Sequence, residues 1–138
     1  MMALMAAGGN LANFDIVAFV PIVDVASAKR FYMEALGLQL VAEEPPFAIV
    51  FNAHGITLRL VMAKELPPRF GTALGWRVTG IASVVAQLSQ AGVNFERYPG
   101  MAQDQLGIWT SPSGATVAWF KDPDGNLLSV SEDPQPAR

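Results

Sequence analysis

The sequence predicts an α+β fold: two β-α-β-β-β modules whose curved mixed sheets surround a cup. Three observations predict it. Ala28, Phe31, Tyr32 and Ala35 fall at i, i+3, i+4 and i+7 on one helix face, and Ile81, Val84, Val85 and Leu88 repeat that face. Each helix is followed by a glycine suited to a left-handed stop, Gly37 and then Gly92, 55 residues later. Short apolar runs rich in β-branched residues flank both helices, and a module of this size cannot bury its own apolar face alone.

Taken in order, residues 1–13 form a loose leader and residues 14–64 the first module. Asp15 to Val23 is a continuous apolar run that reads as a strand buried on both faces, although Pro21 favours an edge or bulge position. Asp24 or Ser27 can cap the first helix. Leu38–Ala42, Ala48–Asn52 and Ile56–Met62 are strand candidates, separated by Pro45-Pro46 and by an Ala53-His54-Gly55 turn. Residues 65–72, with Pro67 and Pro68, read as a linker. The second module, 73–132, restarts with a strand at Ala73–Val78. After its helix come Asn94–Tyr98, Gly107–Ser111, Ala115–Lys121 and Leu127–Ser131, one strand candidate more than a strict copy needs. Between the last two, Asp122-Pro-Asp-Gly-Asn126 supplies turn chemistry: Pro presets φ, Gly permits positive φ, and the Asp and Asn side chains bond local backbone. Residues 133–138 read as a frayed tail.

Composition narrows the function. Of the 138 residues, 51% are hydrophobic and 15% charged, which suits a packed core and excludes a disordered chain. A net charge of −3 argues against a nucleic-acid footprint. The absence of cysteine excludes disulfides, thiolate metal sites and cysteine nucleophiles. No apolar stretch approaches a membrane span, and no Lys or Arg precedes Lys29, so the start lacks a signal peptide's charge; the expectation is a cytoplasmic protein.

Two segments carry a resemblance. Val20-Pro-Ile-Val-Asp-Val-Ala-Ser-Ala-Lys-Arg-Phe-Tyr-Met-Glu-Ala-Leu-Gly-Leu38 and Phe120-Lys-Asp-Pro-Asp-Gly-Asn-Leu-Leu128 resemble the vicinal oxygen chelate superfamily, which includes glyoxalase I, extradiol dioxygenases, and fosfomycin- and bleomycin-resistance proteins. The resemblance covers residues 14–132 and speaks to fold more than to any one function. It implies a divalent ion in the cup, held from the first and last strands of each module, and a homodimer. The positions that match those ligands are Val17, Arg59, Ala73 and Ser129. Two have no donor atom, one is a neutral hydroxyl and one is a fixed cation, whereas a divalent site needs three or four His or carboxylate ligands. The expectation is therefore no metal and no cofactor.

Strand alternation places Phe19 beside Val17 in the cup, Gly75 and Arg77 beside Ala73, Thr57 and Val61 beside Arg59, and Leu127 and Ser131 beside Ser129. Trp76, Val78, Leu128 and Val130 then pack under the helices. The cup becomes mostly apolar with Arg59 and Arg77 as its charges, which suits a small anionic or carboxylate-bearing ligand held by a guanidinium. The competing reading pairs these arginines with acids such as Glu96 or Glu132. Trp109 and Trp119 are candidates for stacking a flat ligand, against a core or dimer-interface role. His54 reads as a solvated turn residue and Tyr32 as core. Two function classes follow: a metal-free small-molecule binder, or a glyoxalase- or dioxygenase-type enzyme (lyase or oxidoreductase) using an unconventional metal site or acid–base chemistry.

Overall fold

The structure is a computed structural model that describes residues 9–66, 68 and 71–134. The leader expected at 1–13 and the tail expected at 133–138 lie largely outside the described residues, as do Pro67, Arg69 and Phe70 of the linker.

The first sheet has strand order β1-β4-β3-β2, from β1 (Val17–Ile22), β2 (Gln39–Glu44), β3 (Ala48–Ala53) and β4 (Ile56–Met62). The second has order β5-β8-β7-β6, from β5 (Leu74–Arg77), β6 (Trp109–Thr110), β7 (Thr116–Lys121) and β8 (Leu127–Glu132). In both, the first strand runs parallel to the last and the other pairings are antiparallel. The doubled β-α-β-β-β plan is thus present. Pro21 lies on β1, an edge strand, where its missing N–H leaves no gap in a central ladder. That strand is not buried on both faces as the apolar run suggests: Val20 and Ile22 are buried, while Val17 and Phe19 are exposed.

Helix α1 (Val25–Arg30) starts at Asp24, whose side chain accepts from the Ser27 N–H at 3.0 Å. It continues into a π-helical stretch, Phe31–Ala35, with the Leu36 N–H bonded to the Phe31 carbonyl at 3.0 Å. Helix α2 (Ile81–Gln90) has no side-chain cap of its own residues; the Glu132 carboxylate accepts from Gly80 and Ile81 N–H at 2.9 and 3.0 Å.

One core joins both modules. Tyr32, Phe51, Leu58 and Leu60 from the first pack in the same cluster as Val85, Phe120, Leu128 and Val130 from the second. Each such large side chain, fully buried, contributes about 1.5–3 kcal/mol of hydrophobic free energy. Leu128 and Val130 lie under the helices as alternation requires, with Trp76 and Val78 packed at the cluster's margin.

The extra strand candidate resolves into a split edge. Asn94–Tyr98 makes a single bridge, Phe95 to Phe120, beside one half of β7, and the two-residue β6 pairs with the other half. Residues 99–107 are inserted between them. Gln103 pins this loop, accepting from the Tyr98 N–H at 2.8 Å and donating to the Glu96 and Gly107 carbonyls at 2.9 Å each. Its competing side-chain bonds explain why the predicted strand is not continuous.

The Asp122–Asn126 turn reaches across the molecule. Asp122 accepts from the Tyr32 hydroxyl at 2.8 Å and from the Asn126 side-chain amide at 2.8 Å. Asn126 also donates to the Pro21 carbonyl at 2.8 Å, and Asp124 accepts from the Val23 and Asp24 N–H groups at 3.1 and 3.2 Å. A turn that looks local in sequence therefore clasps the β1–α1 corner of the other module. Burial, and then the Asp122 charge, raise the Tyr32 hydroxyl well above the ordinary tyrosine range, so it acts as a fixed donor.

Candidate functional site

Alternation leaves one face of each sheet away from the helices. The register equates the two. On the first sheet Arg59 lies opposite Phe19, and on the second Ser129 lies opposite Gly75. The four positions matched to the implied metal ligands thus occupy equivalent places in the two modules, but their chemistry does not fit a divalent ion. Val17 and Ala73 offer no donor, and the Arg59 guanidinium forms an ion pair with Glu44 at 2.5 Å. Among the described residues no group of three His, Cys, Asp or Glu side chains is placed to hold a metal ion.

The open face of the first sheet is filled. Phe19 is 63% exposed beside Val17, and Arg59 crosses from β4 to Glu44 on β2 over Val50, its partner on β3. Arg59 is thus paired with an acid, Glu44. Phe47, 69% exposed, and Val41, 60% exposed, add to an apolar surface on this module.

The open face of the second sheet is different. One cross-strand row reads Gly75–Ser129–Trp119, and the next reads Arg77–Ser131–Val117–Trp109. Gly75 keeps the floor low; a Cβ there would stand 2.7 Å from the Ser129 hydroxyl. Trp119 is opposite in direction to buried Phe120 and is flanked by Trp109, ring centroids 6.0 Å apart, and by Tyr98 at 5.7 Å edge-on. The inserted loop holds Tyr98 and Trp109 in place from its two ends, with Arg97 donating to the Asp104 and Gln105 carbonyls. Among the described residues Arg77 pairs with Asp133, at 3.4 Å with both side chains largely exposed, a pair that stabilises little and is easily exchanged. Neighbouring strands are about 4.8 Å apart, so Arg77 and Trp109 are separated by roughly 14 Å at the backbone.

Arg77, Ser129, Trp109 and Trp119 are therefore gathered on one sheet face, whereas Val17, Phe19 and Arg59 lie on the other. Ala73 precedes β5 and donates its N–H to the Leu127 carbonyl. Tyr98 and Ser131 join the second face; the sequence contains the signal for Ser131 in its alternation with Ser129, but Tyr98 is placed by the inserted loop. Beside this face, a cleft of about 380 Å³ opens between the modules, with Ile16, Ala18 and Leu58 on one side, Leu74 and Trp76 on the other, and His54 and Arg77 at its rim. His54 is exposed in its turn with φ 53°, and Gly55 follows with φ 87°.

Comparison with known proteins agrees with this fold. The family model Glyoxalase/Bleomycin resistance protein/Dioxygenase superfamily matches residues 14–130. A curated relative, Virulence protein STM3117 of Salmonella typhimurium (strain LT2), is 29% identical over 120 residues, covering 79% of this chain and 76% of the relative. Lactoylglutathione lyase from Agrobacterium tumefaciens superposes with a TM-score of 0.66 at 17% identity, covering 87% of this chain and 93% of the other. TnmS3, an antibiotic binding protein from Streptomyces sp. CB03234, does so with a TM-score of 0.62 at 24% identity, covering 88% and 98%. A lyase and a binding protein are thus both similar to this chain in fold, and fold alone assigns no role.

Proposed function

The chain belongs to the Glyoxalase/Bleomycin resistance protein/Dioxygenase superfamily, and from that premise we propose that it is a metal-free binding protein for a flat small organic molecule carrying a carboxylate or similar anionic group. The observation that carries this reading is the second sheet's open face, where an aromatic wall, two hydroxyls and a loosely paired guanidinium share adjacent rows. Trp119 and Trp109 stack the ring system, Ser129 and Ser131 hydrogen-bond its substituents, and Arg77 exchanges Asp133 for the ligand's anion. Arg59 takes no part, because Glu44 already neutralises it. Binding of an antibiotic by one structural neighbour is in keeping with such a role for the fold.

The enzyme alternative requires an unconventional metal site or an acid–base pair, and among the described residues no group of three His, Cys, Asp or Glu side chains is placed to hold an ion. The reading includes a homodimer that covers exposed apolar side chains of the first module such as Phe19 and Phe47. It also includes a cytoplasmic location; no helix among the described residues is long and apolar enough to cross a membrane.

Tryptophan-fluorescence titration with aromatic carboxylates and their neutral methyl esters tests the site. Arg77→Ala is expected to weaken carboxylates at least tenfold and leave the esters unchanged, Trp119→Ala to weaken both, and Arg59→Ala to alter neither. Carboxylate affinity that survives Trp119→Ala and Arg77→Ala, or a stoichiometric transition metal in the purified protein by plasma emission, would overturn the reading.

A further inference from the structure

The helix-side core of the second module is not closed. Phe120 and Val130 form a buried floor, yet Leu36, Trp76, Val84 and Leu88 above it are each only half-buried and line a pocket of about 170 Å³ that opens to solvent. Every residue lining it is apolar. Trp76 and Phe120 lie nearly parallel within it, ring centroids 6.5 Å apart and 17° between planes. It is on the opposite side of the sheet from the Trp109–Trp119 face, because Trp76 alternates with Gly75 and Arg77 along β5.

We infer that this cavity is a second ligand site, specific for an uncharged apolar molecule the size of a single aromatic ring or a short hydrocarbon. Size and chemistry lead to that occupant. Water in so apolar a pocket lacks the two to four polar partners it needs, and a benzene-sized guest matches the volume. With the Trp76 indole N–H as the one donor and no acceptor among the side chains lining the pocket, a charged guest would lose its hydration without adequate replacement. Trp76 and Phe120 instead present ring surface, so a guest gains dispersion contacts that the open core now lacks. The site does not depend on the anion-binding face, and its ligand class is different.

The chain has three tryptophans, so Trp109→Phe combined with Trp119→Phe leaves Trp76 as the sole indole, and Arg77→Ala in the same protein removes the proposed anion partner. In this variant, toluene is expected to give a saturable change in Trp76 emission and to raise the melting temperature by several degrees, while benzoate gives neither. In the otherwise unchanged protein, Val84→Phe fills the cavity and is expected to weaken toluene at least tenfold; Leu88→Phe is the second filling variant should the first fold poorly. No saturable response up to the solubility of toluene, an equal response in the filled variants, or an equal response to benzoate would each overturn the inference. Carboxylate binding to the unmodified tryptophan face is a separate measurement, so either site can fail without the other.

Discussion

Under α1 the space between helix and sheet is occupied by Phe31 and Tyr32; at the same two places in the apolar pattern, α2 carries Val84 and Val85. The rest follows from that difference in volume. Tyr32 packs on Phe51 at 6.0 Å and bonds Asp122, and Val20, Ile22, Ala28, Leu58 and Leu60 around it are sealed from solvent. Beside α2 the core stays open at Trp76. The exposed faces are reversed in character. The first sheet carries Phe19 and an ion-paired Arg59 where the second carries Gly75 and Ser129, so the first face is filled and the second is hollow. The duplicated modules thus differ in packing: the core closes around Tyr32 in the first and stays open at Trp76 in the second.

The strongest way to break this contrast is Tyr32→Ala. It removes a fully buried ring from the closed half, and about 3–5 kcal/mol of stability should be lost in denaturant titration. Tyr32→Phe keeps the ring but leaves the Asp122 carboxylate short of a donor, for an expected loss of about 1–3 kcal/mol. The hydroxyl's raised pKa gives the same interaction a pH signature. Folding favours the protonated phenol, so stability is complete below the ordinary tyrosine pKa of about 10 and declines as pH rises beyond it. Tyr32→Phe should flatten that alkaline decline.

Adding volume sharpens the contrast. Ala28→Leu overpacks the sealed half and should destabilise it by about 1–3 kcal/mol. Val84→Leu extends into the open half, where thermal unfolding should show it neutral or slightly stabilised. Equal losses from both substitutions would mean that the two cores are packed alike.

The smallest expected effect concerns the helix starts. Asp24 and Glu132 are both held below the ordinary carboxylate range, first by the Ser27 N–H and by the Gly80 N–H respectively. For each, folding favours the ionised form, so its contribution is present above about pH 5 and fades as acid protonates it. Glu132→Gln should lower the neutral plateau slightly and make the acid limb of the stability curve shallower, as read from urea midpoints between pH 3 and 7.

Much of the candidate site was readable from alternation. Once Phe120 is assigned to the core, Trp119 must face the other way, and Ser129 and Arg77 follow from the same two-residue period. What alternation cannot supply is the acid opposite an arginine. Glu44 sits beside Pro45-Pro46 in an apparent loop, yet β2 extends to it and delivers it to Arg59. Tyr98 was likewise hidden, because it is brought to Trp119 by side-chain bonds inside residues 99–107 and by no periodic pattern.

By itself the sequence determined the doubled β-α-β-β-β plan, the inward helix faces and the absence of ligand chemistry at the four matched positions, since periodicity and residue type are local properties. Only the tertiary structure decided that the Asp122–Asn126 turn fastens one module to the other, that Arg59 is neutralised while Arg77 is nearly free, and that one core closes and the other does not. Those outcomes depend on which groups meet across 15 to 105 residues of chain, and short-range pattern carries no information about such meetings.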